Sequence, residues 1–255
     1  MQNISGTVDK AMDILDVFLQ ADNGLALRDL AEATGYNRTT VYRLVLTMVK
    51  RGLICQEGNK GKYFLGPKAI NFGYVVRINL KYLDTMYFHL SRLCREQNVA
   101  VNTTLLNDNK ALVIDEIGVS NDFRITALVG KYLPLYATAG GKVILAYMSD
   151  SERKLFFDQV PLVQITRNTL TAIPQLEKTL ETVKKDGMAF DHEEHILGTW
   201  ATAAPIFNTK NRVIISVSVV LPASRVDAFR EQQLAAALKS CATEISLVMS
   251  RNNYI

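Results

Sequence analysis

The stretch "GYNRTTVYRLVLTMVKRG", residues 35–52, decides the fold of the first part of the chain. It indicates a helix that begins after the N-cap residue Asn37 and ends at Gly52. Its apolar residues recur at helical spacing and form one stripe, namely Val41, Leu44, Val45 and Met48. Its polar and basic residues fall on the other side, namely Thr39, Thr40, Arg43, Thr47 and Lys50. This pattern predicts a helix that packs on one side and can contact an anionic partner on the other.

Two helices are predicted before this stretch and a β-hairpin after it. The first covers residues 6–20, and its apolar stripe is Val8, Ala11, Leu15, Phe18 and Leu19. The second is short and ends at Gly35, and its periodic residues are Leu27, Leu30, Ala31 and Thr34. The β-prone runs "LICQE" (53–57) and "KYFL" (62–65) flank the turn signal "GNKG" (58–61). This order of elements predicts a winged helix-turn-helix.

The charges of this part are segregated along the sequence. Between Asp9 and Glu32 there are six acidic residues and two basic ones, whereas residues 37–62 hold six basic residues and only Glu57 as an acid. A local basic block is what a phosphate-binding surface needs, although a solvated helix face would give the same charge count. Taken with the predicted architecture, the basic block favours DNA binding.

Seven side chains are candidates for DNA contact, namely Arg38, Thr39, Thr40, Tyr42, Arg43, Lys60 and Lys62. The arginines can reach a guanine edge or a phosphate, and the threonines are short enough for close approach to a phosphate or a thymine methyl group. The N-terminus of such a helix also offers N–H groups and a positive dipole to phosphate. The two lysines lie at the tip of the predicted wing, where they can reach the flanking backbone. For Tyr42, packing against the turn and a phosphate contact are equally open.

The remainder of the chain predicts an α+β domain. Pro67 opens one helical segment, and a second follows at about Tyr82–Gln97 with Leu83, Tyr87, Leu90 and Cys94 on one stripe. Further on, β-like runs cover 99–106, 111–118, 122–130, 201–207 and 213–221. Helical patterns cover 136–148, 149–159, 174–187 and 226–249, the last with Phe229, Leu234, Leu238, Ile245 and Met249. Helices gathered around an antiparallel sheet are expected from this order.

The sequence resembles the IclR family of bacterial transcriptional regulators over nearly all of its 255 residues. In the first part the resemblance rests on "VDKAMDILDVF", "LRDLAEATGYNRTTVYRLVLTMVKRGLI" and "KYFLGPKAINFG". Later it rests on "LPLYATAGGKVILA", "FDHEEHILGTWATAAPIF" and "VSVVLPASRVD". It implies a winged helix-turn-helix domain at 1–66, a linker helix at 67–81 and a GAF-like effector-binding and oligomerisation domain at 82–255.

The resemblance also implies the function and the assembly. We expect a sequence-specific regulator of operator DNA, without catalytic activity, that a small acidic metabolite controls. Repressors are commoner in the family than activators, and both use the same residues. The family forms homodimers that often assemble into tetramers. The effector's identity is not in the sequence, although "RNTLT" (167–171) and "LPLYATAGGK" look closest to regulators of sugar-acid catabolism.

The effector site is predicted in the second domain. Ala139 and Gly140 lie at a predicted helix start, where bare N–H groups can hold a carboxylate, although a glycine pair also serves close packing. The resemblance adds Asp191 and the serine pair Ser216 and Ser218, which share one face of a strand. Ala201 stands where many family members have a cysteine, and this departure leaves room for a larger or less polar ligand.

A metal-binding enzyme or sensor that uses Asp191–His195 is the alternative from another class. Its only support is "DHEEH", and two histidines three residues apart without a cysteine nearby do not match the HExxH pattern. We therefore predict no metal and no other cofactor. Three scattered cysteines, no run of 18 apolar residues and no signal-peptide pattern lead us to expect a cytoplasmic protein that does not enter a membrane.

Overall fold

The computed structural model describes residues 5–21, 23–58, 61–118 and 129–251. The chain forms two compact units, Met1–Leu80 and Lys81–Ile255. The first unit thus includes the segment that we predicted as a separate linker helix, and the finer division at residue 66 stays a prediction. Lys60 and most of the predicted strand at 122–130 lie outside the described residues.

The first unit is a winged helix-turn-helix followed by one more helix, as predicted. Its elements are α1 (Gly6–Leu19), α2 (Leu27–Thr34), α3 (Arg38–Lys50), β1 (Ile54–Gln56), β2 (Tyr63–Leu65) and α4 (Lys68–Asn79). The two strands pair antiparallel, and a bridge from Leu25 to Tyr63 attaches the hairpin to the segment before α2. The wing is therefore held at its base by backbone hydrogen bonds on both sides of β2.

Local signals fix both ends of α3. Gly35 ends α2 with a φ of 70°, a left-handed value that glycine adopts without strain. The side chain of Asn37 then accepts hydrogen bonds from the backbone N–H groups of Thr39 (2.9 Å) and Thr40 (3.2 Å). At the other end, Gly52 has a φ of 77°. The sequence predicts these boundaries well because each depends on one or two neighbouring residues.

The core of this unit differs in one respect from the predicted pattern. Val41, Val45 and Met48 are buried as expected, together with residues from α1, α2 and the hairpin. On α1, however, Ile14 and Phe18 form the buried side, whereas Val8 is 60% exposed and Leu19 is also exposed. The predicted stripe of α1 was therefore partly wrong, because α2 and α3 pack on a side of the helix that is rotated from it.

Helix α4 has no buried residue. Its apolar side chains point in several directions and are exposed, namely Ile70, Phe72, Tyr74, Val75, Val76 and Ile78. A helix that is apolar on most of its sides is ordinarily covered by other protein.

The second unit is an α+β domain built on one six-stranded antiparallel sheet. Its strands are β3 (Ala100–Asn107), β4 (Lys110–Ile117), β5 (Tyr132–Pro134), β6 (Ala189–His192), β7 (Thr199–Phe207) and β8 (Val213–Pro222), in the order β5-β4-β3-β8-β7-β6. Its helices are α5 (Tyr82–Gln97), α6 (Ala139–Tyr147), α7 (Asp150–Gln159), α8 (Ile173–Asp186) and α9 (Ala228–Arg251), with a short 3-10 turn at Ala223–Arg225. Among the described residues, no helix is both long and apolar enough to cross a membrane.

Most elements of this unit agree with the predicted ones, with three differences. Strands β5 and β6 were not predicted, because they have only three and four residues. Helix α6 begins at Ala139 rather than at residue 136, because Thr138 is its N-cap. Tyr87 on α5 and Phe229 on α9 are exposed although both were placed on buried stripes.

Candidate functional site

The candidate DNA-binding residues lie on the outer side of α3 and on the wing. Arg38, Thr39, Tyr42 and Arg43 are exposed, and Thr40 is half-buried. Tyr42 is 45% exposed, so it is accessible to a partner, and both packing against the turn and a phosphate contact stay open for it. Lys62 is exposed on the wing, whereas Lys60 lies outside the described residues.

The start of α3 offers fewer free N–H groups than expected. The amides of Thr39 and Thr40 already donate to Asn37, and the amide of Val41 donates to the Asn37 carbonyl oxygen at 3.1 Å. The side chains of α3, rather than these amides, are therefore the groups available to a phosphate or a base.

A cavity of about 270 Å³ lies in the second unit between the start of α6, the middle of the sheet and the segment after β6. The strands contribute Asn102, Thr104, Leu133, Asp191, Thr199, Ala201, Ser218 and Val220. The start of α6 contributes Thr138, Ala139, Gly140 and Gly141, and the remaining lining residues are Lys131, His195 and Ile196. Five of the six predicted effector residues thus line one cavity, and Ser216 does not.

The N-terminus of α6 lines this cavity, and two of its backbone N–H groups have no acceptor among the described residues. The Thr138 hydroxyl accepts from the Gly141 amide at 3.2 Å and donates to the Pro134 carbonyl oxygen at 2.9 Å. Ala139 and Gly140 are the first two residues of the helix, so their amides have no intrahelical acceptor. These two N–H groups, together with the helix dipole, can bind an anion.

The glycine pair also serves close packing, which was the alternative reading of "GG". A Cβ atom on Gly141 would lie 2.4 Å from the backbone of Leu135, so this glycine is required by packing alone. A Cβ atom on Gly140 would lie 2.9 Å from Ser216 Oγ and 3.0 Å from Thr104 Oγ1. Gly140 therefore lines the cavity and also packs directly on a pair of hydroxyl groups, and its binding of an anion stays a prediction.

That hydroxyl pair explains the position of Ser216. Ser216 Oγ lies 2.6 Å from Thr104 Oγ1, and both residues are buried. The Ser216 hydroxyl group thus has a partner on a neighbouring strand, and its contact with an effector stays a prediction. Ser218, two residues along β8, lines the cavity. The sequence correctly placed the two serines on one face of the strand, but only one of them reaches the cavity.

Asp191 is buried in the cavity wall. Its Oδ1 accepts a hydrogen bond from the Glu194 amide at 2.7 Å. Burial raises the pKa of the Asp191 carboxyl group to about 6, against the opposing effects of this hydrogen bond and of Lys142, while the negative charge of Glu194 raises it further. The carboxyl group can therefore change its protonation state close to neutral pH.

A buried ion pair holds the segment after β6 against α6. Lys142 Nζ lies 2.5 Å from Glu194 Oε1, and both side chains are almost fully buried. The hydroxyl groups of Thr166 and Thr169 also bind the Glu194 carbonyl oxygen, at 3.1 and 2.7 Å. Because His195 and Ile196 follow directly and line the cavity, these contacts fix one of its walls.

The "HEEH" motif is divided between two environments. His192 is exposed and its Nε2 lies 3.0 Å from Glu231 Oε2, which also accepts a hydrogen bond from Trp200 Nε1 at 2.7 Å. His195 lines the cavity instead, where burial lowers its pKa. Within the described part of the chain, no three metal-binding side chains of the His, Cys, Asp or Glu type come together. The geometry does not favour the metal-binding alternative.

The sequence reading missed several lining residues, of which Asn102, Thr104 and Thr138 are the polar ones on the cavity floor and at the helix start. A signal for two of them exists in "VNTTLL", because Asn102 and Thr104 alternate along β3 just as Ser216 and Ser218 do along β8. Polar residues on one face of two strands indicate a shared polar surface once the strands are known to pair. That pairing joins Asn102 to Ser218 and Thr104 to Ser216.

Comparison with known proteins is consistent with this arrangement. The family model described as the IclR helix-turn-helix domain matches residues 7–58, and the one described as the bacterial transcriptional regulator IclR C-terminal matches residues 73–247. The HTH-type transcriptional regulator Rv1719 of Mycobacterium tuberculosis is 30% identical over 238 residues, which cover 93% of this chain and 90% of that protein. The transcriptional repressor IclR of Escherichia coli is 28% identical over 243 residues, with coverage of 94% and 89%.

A solved structure shares the fold of the whole chain. An IclR homologue from Microbacterium hydrocarbonoxydans, complexed with 4-hydroxybenzoate, superposes with a TM-score of 0.81 over 95% of this chain and 98% of that one. At 19% identity this likeness concerns the fold. The matches of both family models, together with the helix-turn-helix and the cavity domain, lead to one conclusion: the chain belongs to the IclR family of bacterial transcriptional regulators.

Proposed function

We propose that this chain is a repressor that binds operator DNA through α3 and the wing, and that a small carboxylate in the cavity controls it. The observation that carries the proposal is the pairing of an exposed, basic helix face with a separate cavity that has an anion-binding helix start. The E. coli relative is named a repressor, which supports repression rather than activation.

The surface of α3 supports major-groove binding. Arg38 and Arg43 are exposed, and no acidic residue lies in the first turn of the helix. A recognition helix presents its N-terminal residues to base edges, and arginine forms the commonest specific contact, with guanine. Lys62 on the wing is suited to the flanking phosphates.

The cavity supports a small ligand with a carboxylate group. Its volume of about 270 Å³ lies just below the range of roughly 300–1,000 Å³ typical of pockets for drug-sized ligands, so a metabolite fits it. The free amides of Ala139 and Gly140 can bind the carboxylate, while Asp191 and Ser218 can bind other polar groups. Ala201 occupies no more of the cavity than a methyl group, and this leaves room for a ring or a longer chain.

The exposed apolar surface of α4 supports assembly as a homodimer, or as a tetramer built from such dimers. Half-sites in operators are normally read by two copies related by a twofold axis. A second copy of the chain is therefore the partner that we assign to α4. Binding of the effector and of DNA would then be linked, and such linkage is reciprocal because it is one free energy shared by both events.

The DNA-binding part of the proposal can be tested by selecting an operator from random DNA with the wild-type protein. We expect Arg43→Ala to lose about 1–3 kcal/mol of affinity for that operator and to relax specificity at one position. Lys62→Ala should weaken binding to all sequences alike. It should also reduce the slope of the logarithm of affinity against the logarithm of salt concentration by about 1. Lys60→Ala should act in the same way.

Arg225→Ala provides the matched control, because Arg225 is an exposed arginine of the second unit. Its operator affinity should equal that of the wild type in a gel-shift titration. If Arg43→Ala and Lys62→Ala also bound like the wild type, α3 and the wing would not be the DNA-binding surface.

The effector part can be tested by thermal-shift screening of small carboxylates and sugar acids. A ligand present at about 100 times its dissociation constant should stabilise the protein by roughly 2.7 kcal/mol. Asp191→Ala and Ser218→Ala should abolish the shift and retain operator binding. Ser216 is unsuitable for this test, because its hydroxyl group is part of the buried pair with Thr104.

A further inference from the structure

Two polar pairs lie next to each other on strands β3 and β8 beside the cavity, and they differ in their hydrogen-bond partners. Thr104 and Ser216 are paired across β3 and β8, and their hydroxyl groups bind each other at 2.6 Å. Asn102 and Ser218 are the next pair on the same face of the two strands. Both of them line the cavity.

The second pair contains a buried polar atom without a partner. Asn102 is only 5% exposed, and its Oδ1 has no hydrogen-bond partner among the residues that the structure describes. An unsatisfied buried carbonyl oxygen is unfavourable, and native structures rarely keep one without a reason. The cavity lining also includes apolar side chains such as Val220 and Leu133, which offer no hydrogen bond.

We infer that the effector is a hydroxy-carboxylate whose hydroxyl group binds Asn102 and Ser218 while its carboxylate binds the amides of Ala139 and Gly140. This inference rests on the proposed function, since it specifies the ligand of the same cavity. A hydroxyl group suits Asn102 because it can both donate to Oδ1 and accept from the amide nitrogen. Asn102 is then the residue that determines specificity for the polar end of the ligand.

The register of the sheet gives the length of this ligand. Gly140 lies directly on the Thr104–Ser216 pair, because an added Cβ atom would contact both hydroxyl groups. The Asn102–Ser218 pair lies two residues further along the strands, which corresponds to about 7 Å at the usual rise per residue. The hydroxyl group should therefore be separated from the carboxylate by a ring or by several carbon atoms. The smallest oxo and hydroxy acids are too short to reach both ends.

Calorimetric titration of the full-length protein with matched acids tests this inference. One set is benzoate, 4-hydroxybenzoate and 2-hydroxybenzoate, and a flexible set is hexanoate and 6-hydroxyhexanoate. In at least one set, we expect the acid with the distant hydroxyl group to bind about tenfold or more tightly than the acid without it. 2-Hydroxybenzoate should gain nothing over benzoate, because its hydroxyl group is adjacent to the carboxylate.

Asn102→Leu should abolish this preference. Because the substitution removes an unsatisfied polar atom and keeps similar bulk, it should not lower the melting temperature of the ligand-free protein. If Asn102 had only a structural role, Asn102→Leu would lower the melting temperature and keep the preference for the distant hydroxyl group. The matched control is Asn107→Leu on the same strand, since Asn107 binds the Tyr132 hydroxyl group outside the cavity lining. It should keep the preference for the distant hydroxyl group.

The outcomes separate this inference from the proposed function. If hydroxylated and plain acids bound equally, or if Asn102→Leu retained the difference, the inference would be wrong while carboxylate binding stood. If 2-hydroxybenzoate bound most tightly of the three benzoates, the separation of about 7 Å would be wrong, and carboxylate binding would again stand. If no acid of either set bound at millimolar concentration, both the carboxylate effector and its hydroxyl contact would be overturned.

Discussion

Gly140 has no room for a methyl group. Its added Cβ atom would lie 2.9 Å from Ser216 Oγ and 3.0 Å from Thr104 Oγ1, and these hydroxyl groups are buried and bound to each other. We expect Gly140→Ala to reduce the free energy of unfolding by about 1–3 kcal/mol, as overpacking of a core does. Urea denaturation of the two proteins measures this difference.

Gly73→Ala is the matched control for this glycine. Gly73 is also helical, and no atom lies within 4 Å of its added Cβ. The control should be neutral or stabilising, since alanine favours a helix over glycine by roughly 0.5–1 kcal/mol. Equal stability of Gly140→Ala and wild type would mean that the hydroxyl pair moves aside freely. A bulky residue at Gly140 is consequently a poor probe of anion binding, because it disturbs folding first.

The carboxyl group of Asp191 makes stability depend on pH. Burial raises its pKa from 3.8 to about 6, so the folded chain holds the proton more tightly than the unfolded chain does. The protein should therefore lose stability as the pH rises from about 4 to 6, and the loss should level off above 6. Lys142 and Glu194 are the charged groups that face Asp191, and they act in opposite directions on its pKa.

Asp191→Asn should remove this dependence. The amide oxygen can still accept from the Glu194 amide, so the substitution preserves that hydrogen bond. Two pKa units correspond to about 3 kcal/mol. This is the upper limit by which Asp191→Asn should be more stable than the wild type above pH 6. The two proteins should be equally stable near pH 4 in urea denaturation. A variant that is less stable than the wild type at pH 7.5 would contradict the assignment.

At the scale of elements, the ion pair between α6 and the segment after β6 controls one wall of the cavity. Lys142→Met leaves Glu194 buried without its counter-charge, and its Oε2 already lacks a partner among the described residues. We expect a loss of about 3–5 kcal/mol in the free energy of unfolding. The double variant Lys142→Met with Glu194→Leu should recover much of it, because no uncompensated charge remains.

A double-mutant cycle by chemical denaturation measures the coupling between these two residues. Arg153→Met is the control, since its ion pair with Asp150 is exposed on the carboxylate side and should contribute below about 1 kcal/mol. If Lys142→Met lowered the free energy of unfolding no more than Arg153→Met did, the buried ion pair would not stabilise this wall of the cavity.

The helices and strands show which features a sequence can predict. The ends of α3 followed from Gly35, Asn37 and Gly52, because caps and left-handed glycines act on the residues next to them. The buried side of α1 did not follow, because its apolar residues allow two overlapping stripes and only the packing of α2 and α3 selects Ile14 over Val8.

The site was predictable in the same uneven way. The helix start at Ala139 and Gly140 is a local feature, and both residues line the cavity, while their binding of an effector stays a prediction. Asn102 was missed because its importance depends on its pairing with Ser218, and periodicity within one strand does not show which strands pair. Burial of Ser216 likewise depends on Thr104, a residue of another strand.

At the scale of the whole molecule, α4 determines the expected assembly. Ile70 and Tyr74 are four residues apart on this helix, and they are 73% and 65% exposed. A double substitution of both residues with lysine should prevent burial of this surface between two copies. In sedimentation analysis we expect the variant to have the mass of one chain, 28.5 kDa, while the wild type forms a dimer or a larger assembly.

Leu155→Lys is the control for added charge, because Leu155 is an exposed apolar residue on α7. This variant should assemble like the wild type. The α4 variant should also bind a twofold-symmetric operator more weakly, since a monomer reads only one half-site. If the α4 variant still formed a dimer, the interface between the two copies would lie on another surface.

The topology of the sheet also determines when the cavity forms during synthesis. The contact between Thr104 on β3 and Ser216 on β8 joins residues that are 112 positions apart, and β8 is the last strand among the described residues. The helix-turn-helix unit, by contrast, is complete by Leu80. At about 5–20 residues per second, β8 leaves the ribosome on the order of ten seconds after that unit. A growing chain therefore has a recognition helix before it has a ligand cavity, and a messenger truncated before β8 would yield a protein that cannot sense its effector.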